Sequence, residues 1–596
     1  MKQFFKYTFA SMLGMILGII VFFVLIAIVL GVIISSAGGN KTAVKENSIL
    51  HIKLDNPVSD RASTNPFENL SLTNIQVNKE LGLNDILKAL EHAKNNEKIK
   101  GIYLDVSSPA VGIAALEEIR NSLINFKKSG KFIWSYSEGY SQAAYYLSSL
   151  SDSIFLNPQA LIEWKGLAAQ IMFFRGALEK LDVEPQIIRH GKFKSAVEPL
   201  MLDKMSDANR IQTSTYMNAI WNHMKKGIAQ SRKLDESRVQ QVADEALIHN
   251  AKGAMACKFA DRLAYRDEVL ESIRKKIGAS TIDKINFITL EKYINREEEN
   301  NEDKEEKNSK VVRDKIAIVY AVGEIDMGEG SDKEIGSDRI SKAIRDARLD
   351  KNIKAIVLRV NSPGGSSLAS DIIWREVVLA KKAKPVIVSM GNVAASGGYY
   401  ISCAADAIVA EPTTITGSIG VFGVLYNGQK LLNNKMGIFV DTVKTARFAD
   451  IGSVFRPLSA AERDLIQEEV ENIYDDFISK VADGRKMSKA QVDSIGQGRV
   501  WSGADAMRIG LIDEFGGLEK AIEIAAKKAK LKEYRISNLP KQEEPIEMLM
   551  KELSGDIKST WVKAELGENY RFYEHLNKLL KYQGILSRME YDVEIR

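Results

Sequence analysis

Cysteine is nearly missing from this chain, with only Cys257 and Cys403 in 596 residues. The two lie in separate segments among small or apolar neighbours, AMACKFA and YISCAAD, which predicts buried thiols rather than a disulfide. Histidine is also sparse, and no Cys/His cluster has metal-ligand spacing, so neither a metal site nor a cofactor is expected. An excess of one charge is lacking too. The 82 basic and 78 acidic side chains leave a net charge of +4 and are scattered along the chain, which excludes the basic stripe of a nucleic-acid binder. A hydrophobic content of 45% argues against disorder. At 596 residues the chain exceeds what one core serves, so several domains are expected.

What is present, first, is a single long uncharged run. Between Lys6 and Lys41 lie 34 residues (41 − 6 − 1) without a charge, and Met12 to Ile34 is almost wholly apolar. A helix of about 20 such residues crosses a bilayer. A buried helix or a cleaved signal peptide would be alternatives. However, the run is longer than the roughly 7 to 15 residues of a signal h-region, and Ser35-Ser36-Ala37 is a weak cleavage site. An uncleaved single-pass anchor within residues 1–46 is therefore expected. Lys2 and Lys6 ahead of it put the N-terminus in the cytoplasm and the body on the extracytoplasmic side of the inner membrane.

Second, the chain repeats itself at a shift of 254 positions. Ile86–Ala89 falls on Ile340–Ala343, Ser108-Pro109 on Ser362-Pro363, Tyr145-Tyr146 on Tyr399-Tyr400, and Gly166 on Gly420. Two copies of one domain follow. In each copy, β-branched runs such as IKGIYLDV and IKAIVLRV alternate with helical patterns, which predicts an α/β fold around a largely parallel sheet. The expected domains are 47–295 and 313–535. A charged linker, 296–312, separates them, and 536–596 reads as a helical extension for packing or assembly.

Third, two motifs stand about thirty residues apart. The run IVLRVNSPGGS (Ile356–Ser366) is a buried-strand pattern ending in a Pro-Gly-Gly turn, and VIVSMGNVAASGGYY (Val386–Tyr400) is a strand running into small residues around Ser396. Gly364, Gly365 and Gly397 can offer backbone N–H groups as an oxyanion hole. Asn361 is expected to shape the turn rather than react. Either motif alone is equally a plain tight turn.

In their combination and order these motifs resemble the signal peptide peptidase A group of serine peptidases, of the ClpP/crotonase superfamily, in its long two-repeat form. The likeness runs from about residue 45 to 535. It includes NSPGG, AASGGYY, TGSIGV (Thr416–Val421), GKFKSAVEPL (Gly191–Leu200) and GRVWSGADAMRIGLID (Gly498–Asp513). The resemblance implies tandem ClpP/crotonase-like domains, Ser396 as nucleophile, Lys194 as general base from the other repeat, and Ser418 as a group orienting the lysine. It further implies remnant signal peptides as substrates and a homotetramer of eight repeats on the membrane.

The repeat bears on this assignment independently. Position 142 (396 − 254) is Gln142, so Ser-Gly-Gly becomes Gln-Ala-Ala in the first copy, and Gly364-Gly365 becomes Ala110-Val111. Lys192-Phe193-Lys194, after a one-residue insertion, meets Arg447-Phe448-Ala449. Each copy holds what the other has lost, which fits one composite site. A serine needs a base, and a lysine serves as one only when neutral. Its ordinary pKa of about 10.4 must fall toward roughly 7 to 8, which burial promotes. None of the six histidines (His51, His92, His190, His223, His249, His575) selects itself for a Ser-His-Asp arrangement, although His190 lies near Lys194. Two competing readings are a non-catalytic membrane scaffold of the same fold and a crotonase-like acyl-CoA enzyme. The retained Ser396 and Lys194 weigh against the first, and the anchored, extracytoplasmic body weighs against the second.

Overall fold

The computed structural model describes residues 44–63, 80–296, 312–542 and 584–589, with scattered helical positions between 3 and 21. Most of the expected anchor and linker lies outside the described residues. No helix among those described is long and apolar enough to cross a membrane.

Two sheets carry the two repeats. The first has six strands in the spatial order Arg262–Leu263, Ser153–Leu156, Phe132–Ser137, Ile99–Leu104, Ser48–Ile52 and Asn286–Thr289, all parallel. The second is built around the same path. Ala407–Ala410, Val386–Ala395, Ile353–Ser362, Lys315–Val322 and Arg535–Leu539 are parallel neighbours, and Ile415–Gly417 and Val500–Ser502 are added at its active end. Central strands of such sheets are covered on both faces, so they read as continuous apolar runs. KIAIVYAV, with its six middle residues buried, is one. The last of these strands runs to Leu539, past the boundary expected at 535.

Helices keep the same correspondence. Leu83–Asn95 matches Ser337–Leu349 (337 − 83 = 254), and Ile113–Lys127 matches the start of Ser367–Ala383 (367 − 113 = 254). The long helices Asp207–Arg232 and Ala460–Arg485 also correspond; each starts at a serine whose hydroxyl accepts from a backbone N–H, Ser206 from Asn209 and Ser459 from Glu462.

A third, mixed sheet joins the repeats. Its strands run Gly330–Ser331, Glu334–Gly336, Glu324–Asp326, Gly364–Ser366, Gly584–Arg588, Phe422–Asn427 and Glu184–Arg189. The last pair is antiparallel and crosses from the second repeat to the first, Phe422 opposite Arg189 and Asn427 opposite Glu184. Most of the expected helical extension, 543–583 and 590–596, lies outside the described residues. Gly584–Arg588 is a strand, and it lies inside the sheet that carries the Pro-Gly-Gly turn.

A buried ionic cluster also ties the repeats together. Arg359 donates to Asp60 (2.6 Å) and Glu118 (2.7 Å), and Asn361 donates to Asp60 (2.6 Å). Glu118 in turn accepts from the backbone N–H of Leu518 (2.7 Å). Taking charges out of water is costly unless each is paired, and here every charge is. The cluster pins the strand leading to the glycine turn onto the first repeat. Both cysteines are free and buried.

Candidate active site

Ser396 stands where the strand Val386–Ala395 turns into the helix Gly397–Ser402. Its φ of +54° is unusual for a residue with a side chain, and its N–H donates to Gly417 O (2.8 Å). Backbone strain of this kind concentrates at functional sites because it aims one side chain. The small residues that follow let the helix pack close. A Cβ on Gly398 would sit 2.8 Å from Ser362 O.

Lys194 reaches this serine from the other repeat. The chain after Glu184–Arg189 makes a turn held to the second repeat by two backbone bonds. His190 N donates to Val421 O (3.1 Å) and Phe193 N to Gln497 O (3.1 Å), while Gly498 N donates to Ile419 O (2.7 Å) within the second repeat. Gln212, on the long first-repeat helix, accepts from Val500 N (3.1 Å) and donates to Phe193 O (3.1 Å) and Ser195 Oγ (2.8 Å). Gly498 is required for this approach, since with φ +82° a Cβ there would lie 2.6 Å from Lys194 Cα.

The result is a fully buried lysine whose Nζ lies 2.8 Å from Ser396 Oγ, 3.0 Å from Ser418 Oγ and 3.2 Å from Ser418 O. These three oxygens are neutral, and the Phe422 ring covers the site 5.8 Å from Nζ. Ser418, itself at φ +48°, turns both of its oxygens to the amine. On the far side of Ser396, the glycine turn meets the helix start. A Cβ on Gly364 would be 2.7 Å from Gly397 N, while Gly365 lies so close to Ile325 that a Cβ there would be 2.0 Å from its carbonyl oxygen. Gly364 and Gly397 thus meet next to Ser396, and Gly365 follows on the short strand paired with Ile325. Asn361 is part of the ionic cluster and holds Val393 N through Oδ1 (3.2 Å), which is a shaping contact.

The histidines go elsewhere. His190 pairs with Glu471 (2.6 Å) and stacks on Tyr474, His51 pairs with Asp105 (3.1 Å), and His223 lies against Glu117 (3.1 Å). No group of three or more His, Cys, Asp or Glu suited to a metal ion occurs among the described residues.

In the first repeat, the equivalent position is closed. Gln142 turns its amide onto its own neighbouring loop, donating to Gly166 O (3.0 Å) and accepting from Lys165 N and Gly166 N (3.0 Å each). Ala449, where a second lysine would stand, is exposed.

Gln212, Gly498 and the C-terminal strand were not singled out for any role by the sequence. Only Gly498 carried a signal, within GRVWSG.

The sequence profile of Peptidase family S49 matches residues 125–280 and 379–532, once in each repeat. Protease 4 of Haemophilus influenzae is 35% identical over 519 residues, which span 85% of this chain and 83% of that protein. Serine protease SPPA, chloroplastic, of Arabidopsis thaliana is 33% identical over 552 residues, 92% of this chain and 78% of its own. Among solved structures, ClpP1 from Listeria monocytogenes covers 34% of this chain and 91% of its own at 18% identity, with a TM-score of 0.22.

Proposed function

We propose that this chain, which belongs to peptidase family S49 and is a serine peptidase, cleaves peptides with Ser396 as nucleophile and Lys194 as general base. The observation that carries this reading is the 2.8 Å contact between Lys194 Nζ and Ser396 Oγ, made between two repeats that each lack the other's group. Burial sets Nζ against Ser396 Oγ and the two Ser418 oxygens, within reach of the proton a general base must take. Ser418 orients that amine.

The reaction runs as acyl transfer. Lys194 takes the Ser396 proton while Oγ attacks the scissile carbonyl, and the backbone amides of Gly365 and Gly397, with Gly364 shaping the turn, face the developing oxyanion. Lys194 then returns the proton to the leaving amine, and water repeats the sequence on the acyl-serine. This chemistry calls for no cofactor.

We further propose that the substrates are extended, apolar peptides such as remnant signal peptides. On this reading the uncharged N-terminal run anchors the chain in the inner membrane, with the body on the extracytoplasmic side, where such peptides lie.

Self-assembly to a homotetramer completes the proposal, and the edges of the repeats support it. Within one chain, Glu184–Arg189 pairs with Phe422–Asn427, and Ile188 is 1% exposed. The matching segment of the second repeat, 439–444 (449 − 194 = 255), leaves Val443 98% exposed and Phe439 78% exposed. Its complement in the first repeat, 168–173 (422 − 254 = 168), forms no strand. The second edge of each chain fits the free edge of the next copy, a head-to-tail contact that closes into a ring.

Hydrolysis of a synthetic signal peptide by purified wild type, Ser396→Ala and Lys194→Ala tests the reading. Both variants are expected to be inactive with unchanged circular dichroism. An inactive wild type would favour the scaffold.

A further inference from the structure

The groove that a peptide would enter is occupied by the chain itself. Gly584–Arg588 lies antiparallel between Gly364–Ser366 and Phe422–Asn427, with Ser587 opposite Gly365 and Leu586 opposite Phe422. The carbonyl oxygen of Ser587 lies beside Gly364 and Gly397. A Cβ built on Gly364 would lie 2.2 Å from it, and one on Gly397 would lie 3.1 Å away. Just beyond, Met589 N donates to Pro363 O (2.6 Å).

The side chains are seated as well. The Ser587 and Ser367 hydroxyls are 2.9 Å apart, Arg588 pairs with Glu324, and Met589 is buried in the first repeat's core. Leu586 packs on the apolar cluster of Leu178, Val197 and Phe422 beneath the lysine turn.

A peptide that adds to a sheet edge takes its affinity from backbone hydrogen bonds along that edge. Both edges flanking this groove already pair with residues 584–588. The segment and an extended substrate therefore exclude each other. We propose that residues 584–589 are a tethered competitor, a stretch of this chain's own tail that fills the peptide groove until substrate displaces it. This rests on Ser396 and Lys194 being the catalytic pair. It also names the ligand class more closely. The displacing peptide is extended and carries a small side chain where Ser587 sits, because that position is completely enclosed.

The test uses the full-length protein with Met589→Asp, which puts a charge into an apolar seat, and separately Arg588→Glu, which sets a carboxylate against Glu324. A competitor that occupies the groove nine-tenths of the time raises KM about tenfold and leaves kcat alone. Both variants are therefore expected to lower KM several-fold, with kcat within about twofold of wild type. Adding the free peptide GILSRM should raise KM again in both. An unchanged or raised KM in both variants, with wild-type circular dichroism, overturns the proposal. Ser396→Ala built into each background separates the two readings. If it leaves hydrolysis intact, the catalytic pair is wrong. If it abolishes hydrolysis while KM has not moved, only the competitor fails.

Discussion

The two repeats share a strand order and a helix order, yet one keeps a strained serine and the other a self-satisfied glutamine. Ser396 and Gln142 occupy equivalent positions, and each faces an equivalent loop, Gly420 for the serine and Gly166 for the glutamine. Gln142 spends its amide on that loop, whereas Ser396 leaves its hydroxyl to Lys194. The lysine turns differ in the same complementary way. Residues 194–198 are buried, while the matching residues 449–453 are exposed or half-exposed. A duplicated fold needs only one working copy of each reacting group once the copies face each other, and the spare positions are free to become structure.

The largest effect expected from this asymmetry is on activity. Lys194→Met should reduce peptide hydrolysis by about a thousandfold or more, because a serine without its base is a poor nucleophile. Gln142→Ser in the first repeat should create no activity in a Ser396→Ala background, since Ala449 supplies no base. Recovered hydrolysis in that double variant would break the comparison.

Next in size is the ionic cluster between the repeats. Asp60→Ala leaves Arg359 with one of its two carboxylates and removes the Asn361 contact, and should cost about 3 to 5 kcal/mol in a denaturant titration.

Glu411 gives a smaller effect with a defined sign. Burial first, and then the nearby charges of Glu118 and Glu117, push its carboxyl from the ordinary 4.5 up to about 9. The folded chain therefore keeps a proton that the unfolded chain releases, and stability falls as pH rises from 4.5 to about 9. Glu411→Gln removes that dependence and should add up to about 3 kcal/mol at pH 7, seen as a higher Tm at pH 8 than the wild type's and a smaller difference at pH 5. Equal Tm gains at both pH values would contradict the assignment. Smallest for the single chain is Val443→Asp. It should leave the fold intact while lowering the mass measured by light scattering toward that of a monomer.

Much of this arrangement was legible in the sequence, for a physical reason. Strands and helices at a constant shift preserve landmarks, so Ser396, Lys194 and the glycines around the turn stood out by what their counterparts had become. Ser418 was visible only through the TGSIG motif. Gln212 was invisible, because its two-sided grip on Phe193 and Val500 joins positions 288 apart in sequence (500 − 212). The Arg359, Asp60 and Glu118 cluster was hidden similarly, since ion pairs between repeats leave no local pattern. The strand Gly584–Arg588 carried no strand signal of its own in the sequence. Its five residues gain their strand conformation from the two edges that hold them, not from their own periodicity.

The central claim is that a lysine of the first repeat activates the serine of the second. The most direct measurement is covalent labelling by a fluorophosphonate, which reports nucleophile activation without any peptide substrate. The account predicts a single adduct on the peptide containing Ser396 in wild type and its loss in Lys194→Ala. An adduct of undiminished rate in Lys194→Ala, or one formed on a different residue in wild type, would contradict it.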